Sequence, residues 1–178
     1  PFDSIKFYDD APESIKYIIE KYKDSLPPIP TDVIRDAPIR LDNGPYPMVL
    51  FSHGAYGVRF QSVFYTVPLA SHGYVVVSPD HTGATLYNLL ESDGYNMDDL
   101  FLSGLDRPLD MVSLLDEMLA RNSDPEDDFH NSIDADRVGI SGHSFGGYTA
   151  LQVAFDDPRI KAVVPQEPVT TILDLFGY

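Results

Sequence analysis

The chain has 178 residues, with 12 Lys and Arg against 28 Asp and Glu, a formal net charge of −16 and no cysteine. So acidic a surface repels phosphate backbones and anionic headgroups, which argues against nucleic acid as a partner, and the lack of thiols excludes a disulfide scaffold, a thiolate zinc site and a cysteine nucleophile. At 43% hydrophobic and 12% aromatic residues the chain is too apolar for disorder, and its length suits one domain or part of one.

No apolar run approaches the roughly 18 residues of a membrane span, and no charged-then-apolar leader is present, so no transmembrane segment is expected. The first residue is Pro1, which suggests a processed chain or a piece of a longer one. Of the 28 acids, 22 are Asp and 6 are Glu, a short-armed acidic surface that favours a secreted or periplasmic setting over a cytoplasmic one.

In chain order, Asp10 to Leu26 reads as a helix, with Asp10 as cap, Pro12 and Glu13 in the first turn, and Ile15, Ile18, Ile19 and Tyr22 at helical spacing. A breaker follows at Pro27-Pro28-Ile29-Pro30, and 31 to 47 reads as an irregular connection rich in turn formers. From Met48 the texture changes. Short apolar runs at Met48–Phe51, Tyr74–Val77, Arg137–Ile140 and Ile160–Val164 alternate with candidate helices at about 60–72, 84–92, 106–121 and 145–155, Gly73 closing the first helix and Asp106 opening the third. Strands apolar on both faces and joined by helices predict an open α/β parallel sheet covered on each side, which binds ligands at its strand carboxyl ends.

Two of those ends carry chemistry. Gly142-His143-Ser144-Phe145-Gly146-Gly147 follows one predicted strand and precedes an apolar helix, which fits the G-x-S-x-G nucleophile elbow. The sharp turn strains the serine backbone, lifts its hydroxyl clear of the sheet and aims a helix N-terminus at it; side chains at 142 or 146 would collide with neighbouring backbone. The other end, Phe51-Ser52-His53-Gly54-Ala55-Tyr56-Gly57, suits an oxyanion loop. The expected oxyanion donors are therefore the backbone N–H groups of Ala55 and Phe145, each contributing about 2.7–4 kcal/mol to transition-state stabilisation.

These residues resemble the α/β-hydrolases of the dienelactone-hydrolase superfamily, in particular the platelet-activating-factor acetylhydrolase-like serine esterases. The carriers are Asn43-Gly-Pro-Tyr-Pro-Met-Val-Leu-Phe-Ser-His-Gly54, Leu69-Ala-Ser-His-Gly-Tyr-Val-Val-Val77, Arg107-Pro-Leu-Asp110 and Asp136-Arg-Val-Gly-Ile-Ser-Gly-His-Ser-Phe-Gly-Gly147, within about residues 33–168. Bacterial polyester hydrolases of cutinase type share the Ala-Ser-His-Gly and Gly-His-Ser patterns. Dienelactone hydrolases themselves use a cysteine nucleophile, and this chain has none.

The resemblance implies a serine carboxylic-ester hydrolase working through an acyl-enzyme, without metal or organic cofactor, on a small-molecule or lipid-like ester or a polyester. It implies the triad order serine, acid, histidine, and Glu167 stands where the acetylhydrolase-like members place their acid; Asp156, Asp157 and Asp174 are weaker candidates. All five histidines, His53, His72, His81, His130 and His143, precede Ser144, so the base is expected outside this chain. His81 follows a strand end and is expected, with Tyr56 and Tyr148, to line the pocket. The four strands correspond to the third to sixth of the family's eight, which divides the chain into an N-terminal helix and connection, 1–47, and the central part of a catalytic domain, 48–178, completed by a second polypeptide segment. A catalytically silent fold used for binding or assembly is the alternative. The acidic stretch Asp124-Pro-Glu126-Asp127-Asp128 with Asp134 and Asp136 lacks the glycine of an EF-hand and reads as a solvated loop.

Overall fold

The structure is a computed structural model, and it describes residues 4–5, 13–22, 29–31, 33–92 and 94–170. Chain order is β1 (Ser4–Ile5), α1 (Glu13–Tyr22), β2 (Ile29–Pro30), β3 (Tyr46–Ser52), α2 (Val63–Ser71), β4 (Val75–Val77), α3 (Leu86–Glu91), α4 (Met97–Ser123), β5 (Ile133–His143), α5 (Phe145–Asp156) and β6 (Ile160–Gln166). Four strands form a parallel sheet in the order β4-β3-β5-β6, while β1 and β2 pair antiparallel by themselves. The expected start of α1 at Asp10 and Pro12, and its end at Leu26, lie outside the described residues.

The sheet is built as its apolar runs dictate. Met48 and Leu50 of β3 pair with Val138 and Ile140 of β5 and point to one face, where Met111, Leu115 and Met118 of α4 and Ala150 and Val153 of α5 complete a buried core. Successive strand residues point to opposite faces, so Phe51 faces the other side and meets Tyr65 of α2 at 6.0 Å between ring centroids. Helices thus cover both faces, as the continuous apolar strands require.

Four expectations shift. The breaker at 27–30 supplies a two-residue strand, a site proline tolerates when its missing N–H faces no partner. β3 begins at Tyr46, with Pro47 at the register irregularity between Tyr46 and Met48. β5 starts at Ile133, ahead of the expected 137, because its first residues include the half-buried Asp134 and the exposed Asp136 and Arg137, whose charges mask the apolar pattern. The third helix starts at Met97, with Asn96 as its cap, accepting from the amides of Asp98 and Asp99 at 3.1 and 3.2 Å. Asp106 lies within that helix; Pro108 two residues later imitates a first turn but sits in the interior. Gly73, at φ +84°, closes α2 as expected.

Register decides where the site lies. Ser52 pairs with Gly142, and His143 with Gln166, so three chain segments leave β3, β5 and β6 side by side at the carboxyl edge.

Candidate active site

Between β5 and α5 the chain makes its sharpest turn at Ser144, with φ 54° and ψ −116°. An L-residue reaches such a conformation only when its surroundings enforce it. A Cβ on Gly146 would stand 1.9 Å from the carbonyl oxygen of Ser52, and one on Gly142 would stand 2.2 Å from the carbonyl oxygen of Gly146. The elbow therefore packs backbone on backbone. Ser144 caps α5 with its carbonyl, which accepts from Gly147 at 2.9 Å and Tyr148 at 3.2 Å, while its hydroxyl makes no capping bond. The hydroxyl remains available at a half-buried position on a helix N-terminus.

The loop after β3 presses on this turn: a Cβ on Gly54 would meet His143 Nδ1 at 3.3 Å. Gly54 donates its amide to Gln61 Oε1 at 2.8 Å and accepts from Gly57 N at 3.1 Å. Tyr56, at φ 54°, is pinned by its hydroxyl, which donates to the Asn96 carbonyl and accepts from the Asn96 amide, both at 2.9 Å. Ala55 and Tyr56 pack with Phe145, Tyr148, Ala84, Leu100 and Val169 in one cluster. Four of the expected site residues are thus brought together. Phe64 of α2 is 76% exposed, and Tyr65 belongs to the α2 side of the sheet.

Glu167 follows β6 at φ 44° and is exposed. Its neighbours hold the elbow: Gln166 accepts from the Ser144 amide at 2.9 Å, and Pro168 lies where a Cβ on Gly147 would stand, 2.9 Å from its own Cβ. Asp157 is occupied by Arg159, which hydrogen-bonds it and holds its carboxyl below the usual carboxylate range. Asp156 is exposed at the end of α5, and Asp174 lies outside the described residues.

None of the five histidines is hydrogen-bonded to Ser144. His81, expected to line the pocket, is fully buried: Nε2 accepts from the Ser52 hydroxyl at 2.9 Å and Nδ1 donates to Asp110 at 2.8 Å. Ser52, His81 and Asp110 thus form a serine–histidine–aspartate relay, but Ser52 is itself fully buried on β3. Burial holds His81 below its ordinary range despite Asp110. Next to it His53, also fully buried, is pushed down to about 3 by burial, with the charge of Arg107 acting in the same direction. His72 ends α2, its Nδ1 2.8 Å from the Pro68 carbonyl, and His130 Nε2 faces Asn131.

Arg107 is the residue that sequence reasoning missed. It is fully buried under the Phe145 ring, its guanidinium carbon 4.5 Å from the ring centroid. A signal was present: Leu100, Ser103, Gly104, Arg107, Met111, Leu115 and Met118 recur at three- and four-residue steps, which places the arginine on the inward face of α4. In the acidic stretch, Asp124, Asp127 and Asp134 accept from the amides of Glu126, Phe129 and Asp136, and among the described residues no three carboxylates or imidazoles gather as metal ligands. Among those residues no helix is long and apolar enough to cross a membrane.

A family profile described as PET hydrolase-like matches residues 48–174. Platelet-activating factor acetylhydrolase of Bos taurus is 27% identical, aligning 65% of this chain with 33% of its own; cutinase est1 of Thermobifida alba is 31% identical across 71% of this chain and 36% of its own. The solved ferulic acid esterase from Streptomyces cinnamoneus superposes with a TM-score of 0.58 at 29% identity, covering 74% of this chain and 38% of that chain. The chain spans about a third of the length of these curated relatives.

Proposed function

Because this chain belongs to the PET hydrolase-like family of α/β-hydrolases, we propose that it carries the nucleophile and oxyanion hole of a serine carboxylic-ester hydrolase. The observation that carries the proposal is the backbone of Ser144, held at φ 54° between β5 and α5 with its hydroxyl uncommitted. In this reading Ser144 Oγ attacks the ester carbonyl carbon while a histidine takes its proton. The amides of Ala55 and Phe145 bind the oxyanion of the tetrahedral intermediate, and its collapse expels the alcohol with the proton held by the histidine. Water then repeats the sequence on the acyl-enzyme and releases the acid.

Glu167 is assigned as the acid that orients the histidine, and Tyr56 and Tyr148 as walls of the acyl pocket. The histidine belongs to a segment beyond residues 1–178, consistent with the share of the relatives that the chain spans. The same segment would cover the outer strand β6, where Val164 is 51% exposed, and the end of α5, where Phe155 is 88% exposed. The named relatives act on different esters by their names, so the ester carbonyl is the shared feature and an acyl-chain-length panel sets the preference.

The test is a fluorophosphonate probe on the complete protein. It labels Ser144, and Ser144→Ala abolishes both labelling and ester turnover; a folded wild type left unlabelled overturns the proposal. Intact mass of the active material is expected to exceed 19.8 kDa or to include a second chain, and an active, monomeric 19.8 kDa species would remove the second segment from the account.

A further inference from the structure

We propose that Arg107 is a positioning residue for the oxyanion hole, one buried guanidinium that fixes both amide donors. The inference rests on the assignment of Ser144, Ala55 and Phe145 above.

The Ala55 amide belongs to the peptide joining Gly54 to Ala55. In a planar trans peptide the C=O and the N–H point in opposite directions, so whatever anchors the Gly54 carbonyl aims the Ala55 amide. Three donors converge on that carbonyl: His53 Nδ1 at 2.7 Å, Gly57 N at 3.1 Å and Arg107 Nη2 at 3.5 Å. His53 Nδ1 also stands 3.2 Å from Arg107 Nη2, and its tautomer is assigned from the other nitrogen together with the shorter contact to the Gly54 carbonyl. Nε2 accepts the backbone N–H of His81 at 3.1 Å, so the neutral ring carries its proton on Nδ1 and donates it to Gly54. Arg107 Nη2 also donates to the His53 carbonyl at 2.5 Å, which holds the preceding peptide. A carbonyl polarised by donors makes the amide on the same peptide a stronger donor in turn.

The second donor is held through its side chain. The guanidinium lies against the Phe145 ring, and Phe145 is the first residue of α5, whose amide is the one assigned to the oxyanion. Arg107 Nε and Nη1 are buried with no hydrogen-bond partner among the described residues, an arrangement that packing alone disfavours at a position an apolar side chain would fill. Burial pushes Arg107 down to about 9, so it keeps its charge at neutral pH; the carboxylate that opposes the shift, Asp110, is already engaged by His81. A positive charge bonded to the Gly54 carbonyl and lying against the Phe145 ring favours the negative charge that develops at the assigned amides and not the neutral ester.

The experiment compares an ester with the thionoester of the same acid and alcohol in the complete protein. Sulfur accepts hydrogen bonds weakly and is larger, so a thionoester gains little from an oxyanion hole. Arg107→Met is expected to lower kcat on the oxygen ester by about 10²-fold with KM changed by less than about threefold, while the thionoester loses far less. Arg107→Lys, which keeps the charge and loses the fork, falls between. Fluorophosphonate labelling of wild-type Ser144 stands as the separate check on the nucleophile: its failure overturns that assignment and this inference with it, whereas labelling with an unchanged ester-to-thionoester ratio overturns the inference alone. Equal losses on both esters, or a change confined to KM, overturn the proposal. If Arg107→Met does not fold, Phe145→Leu keeps the amide and removes the ring beneath the guanidinium; it too must lower the ester-to-thionoester ratio, and an unchanged ratio overturns the proposal.

Discussion

Ser144 donates its backbone N–H to the carbonyl of Gln166 at 2.9 Å, which ties the elbow to the last residue of β6. Glu167, the next residue, therefore leaves the sheet from a point fixed relative to the nucleophile. Its φ of 44° turns the chain there, and Val169 returns an amide to the Ser144 carbonyl at 3.4 Å.

If Glu167 orients the histidine, Glu167→Gln keeps the shape of the side chain and removes the charge that stabilises an imidazolium. kcat is then expected to fall by about 10⁴-fold with KM little changed, as removal of the carboxylate charge does in a serine triad. Steady-state kinetics on a soluble ester measures this. A loss of less than about tenfold would assign the acid elsewhere.

Gly146→Ala places a methyl group 1.9 Å from the Ser52 carbonyl oxygen, where no side-chain rotation can relieve the contact. The loss of stability is expected to reach about 3 kcal/mol or more, at the upper end for overpacking, because backbone must move against backbone. Urea denaturation reports it, and fluorophosphonate labelling is expected to fall in parallel. A variant of wild-type stability would contradict the packing described for the elbow.

Ser144→Gly has the opposite sign. Removing the side chain releases the strain of an L-residue at φ 54°, roughly 1–3 kcal/mol, and returns part of it through the greater freedom of glycine in the unfolded chain. A net gain of about 1 kcal/mol with complete loss of turnover is expected. An inactive variant no more stable than wild type would show that the turn stores no strain.

Acid is expected to destabilise the fold through its buried imidazoles. His53, pushed down to about 3, stays neutral in the folded chain, whereas in the unfolded chain it titrates near its ordinary 6.5. Between those values the unfolded state binds a proton that the folded state does not, so stability is full above about 6.5 and declines as pH falls towards 3, by up to about 1.4 kcal/mol per pH unit. His81, lowered in the same direction, adds to the slope. Urea midpoints between pH 7 and 5 measure the decline, and His53→Gln is expected to flatten it; an unchanged slope in that variant would place the effect in other groups.

The parts of the fold legible in the sequence are those where one local rule acts alone. The apolar strands, the elbow glycines and the Gly73 stop are each decided within a few residues. The start of β5 is not legible because Asp134, Asp136 and Arg137 put charge at the head of a strand whose tertiary place leaves Asp136 and Arg137 in solvent. The start of α4 is not legible because Pro108 carries the local signature of a helix start, while the buried face from Leu100 to Met118 sustains the helix through it. Within the site, Ser144, Phe145, Ala55, Tyr56 and Tyr148 are expected from motif and spacing, and the last four share one packed cluster. The burial of His81 between Ser52 and Asp110, and the place of Arg107 beside His53 and Phe145, are not legible because these partners are long-range neighbours that no local pattern brings together.

The Ser52–His81–Asp110 relay has a consequence for how nucleophiles are recognised. It meets the distance criteria of a catalytic triad more fully than any group around Ser144, yet its hydroxyl reaches no solvent. A search by three-atom templates would return Ser52 and pass over Ser144. What separates the two serines is access and the shape of the main chain: one lies in a regular strand, the other on a strained turn at the mouth of a helix.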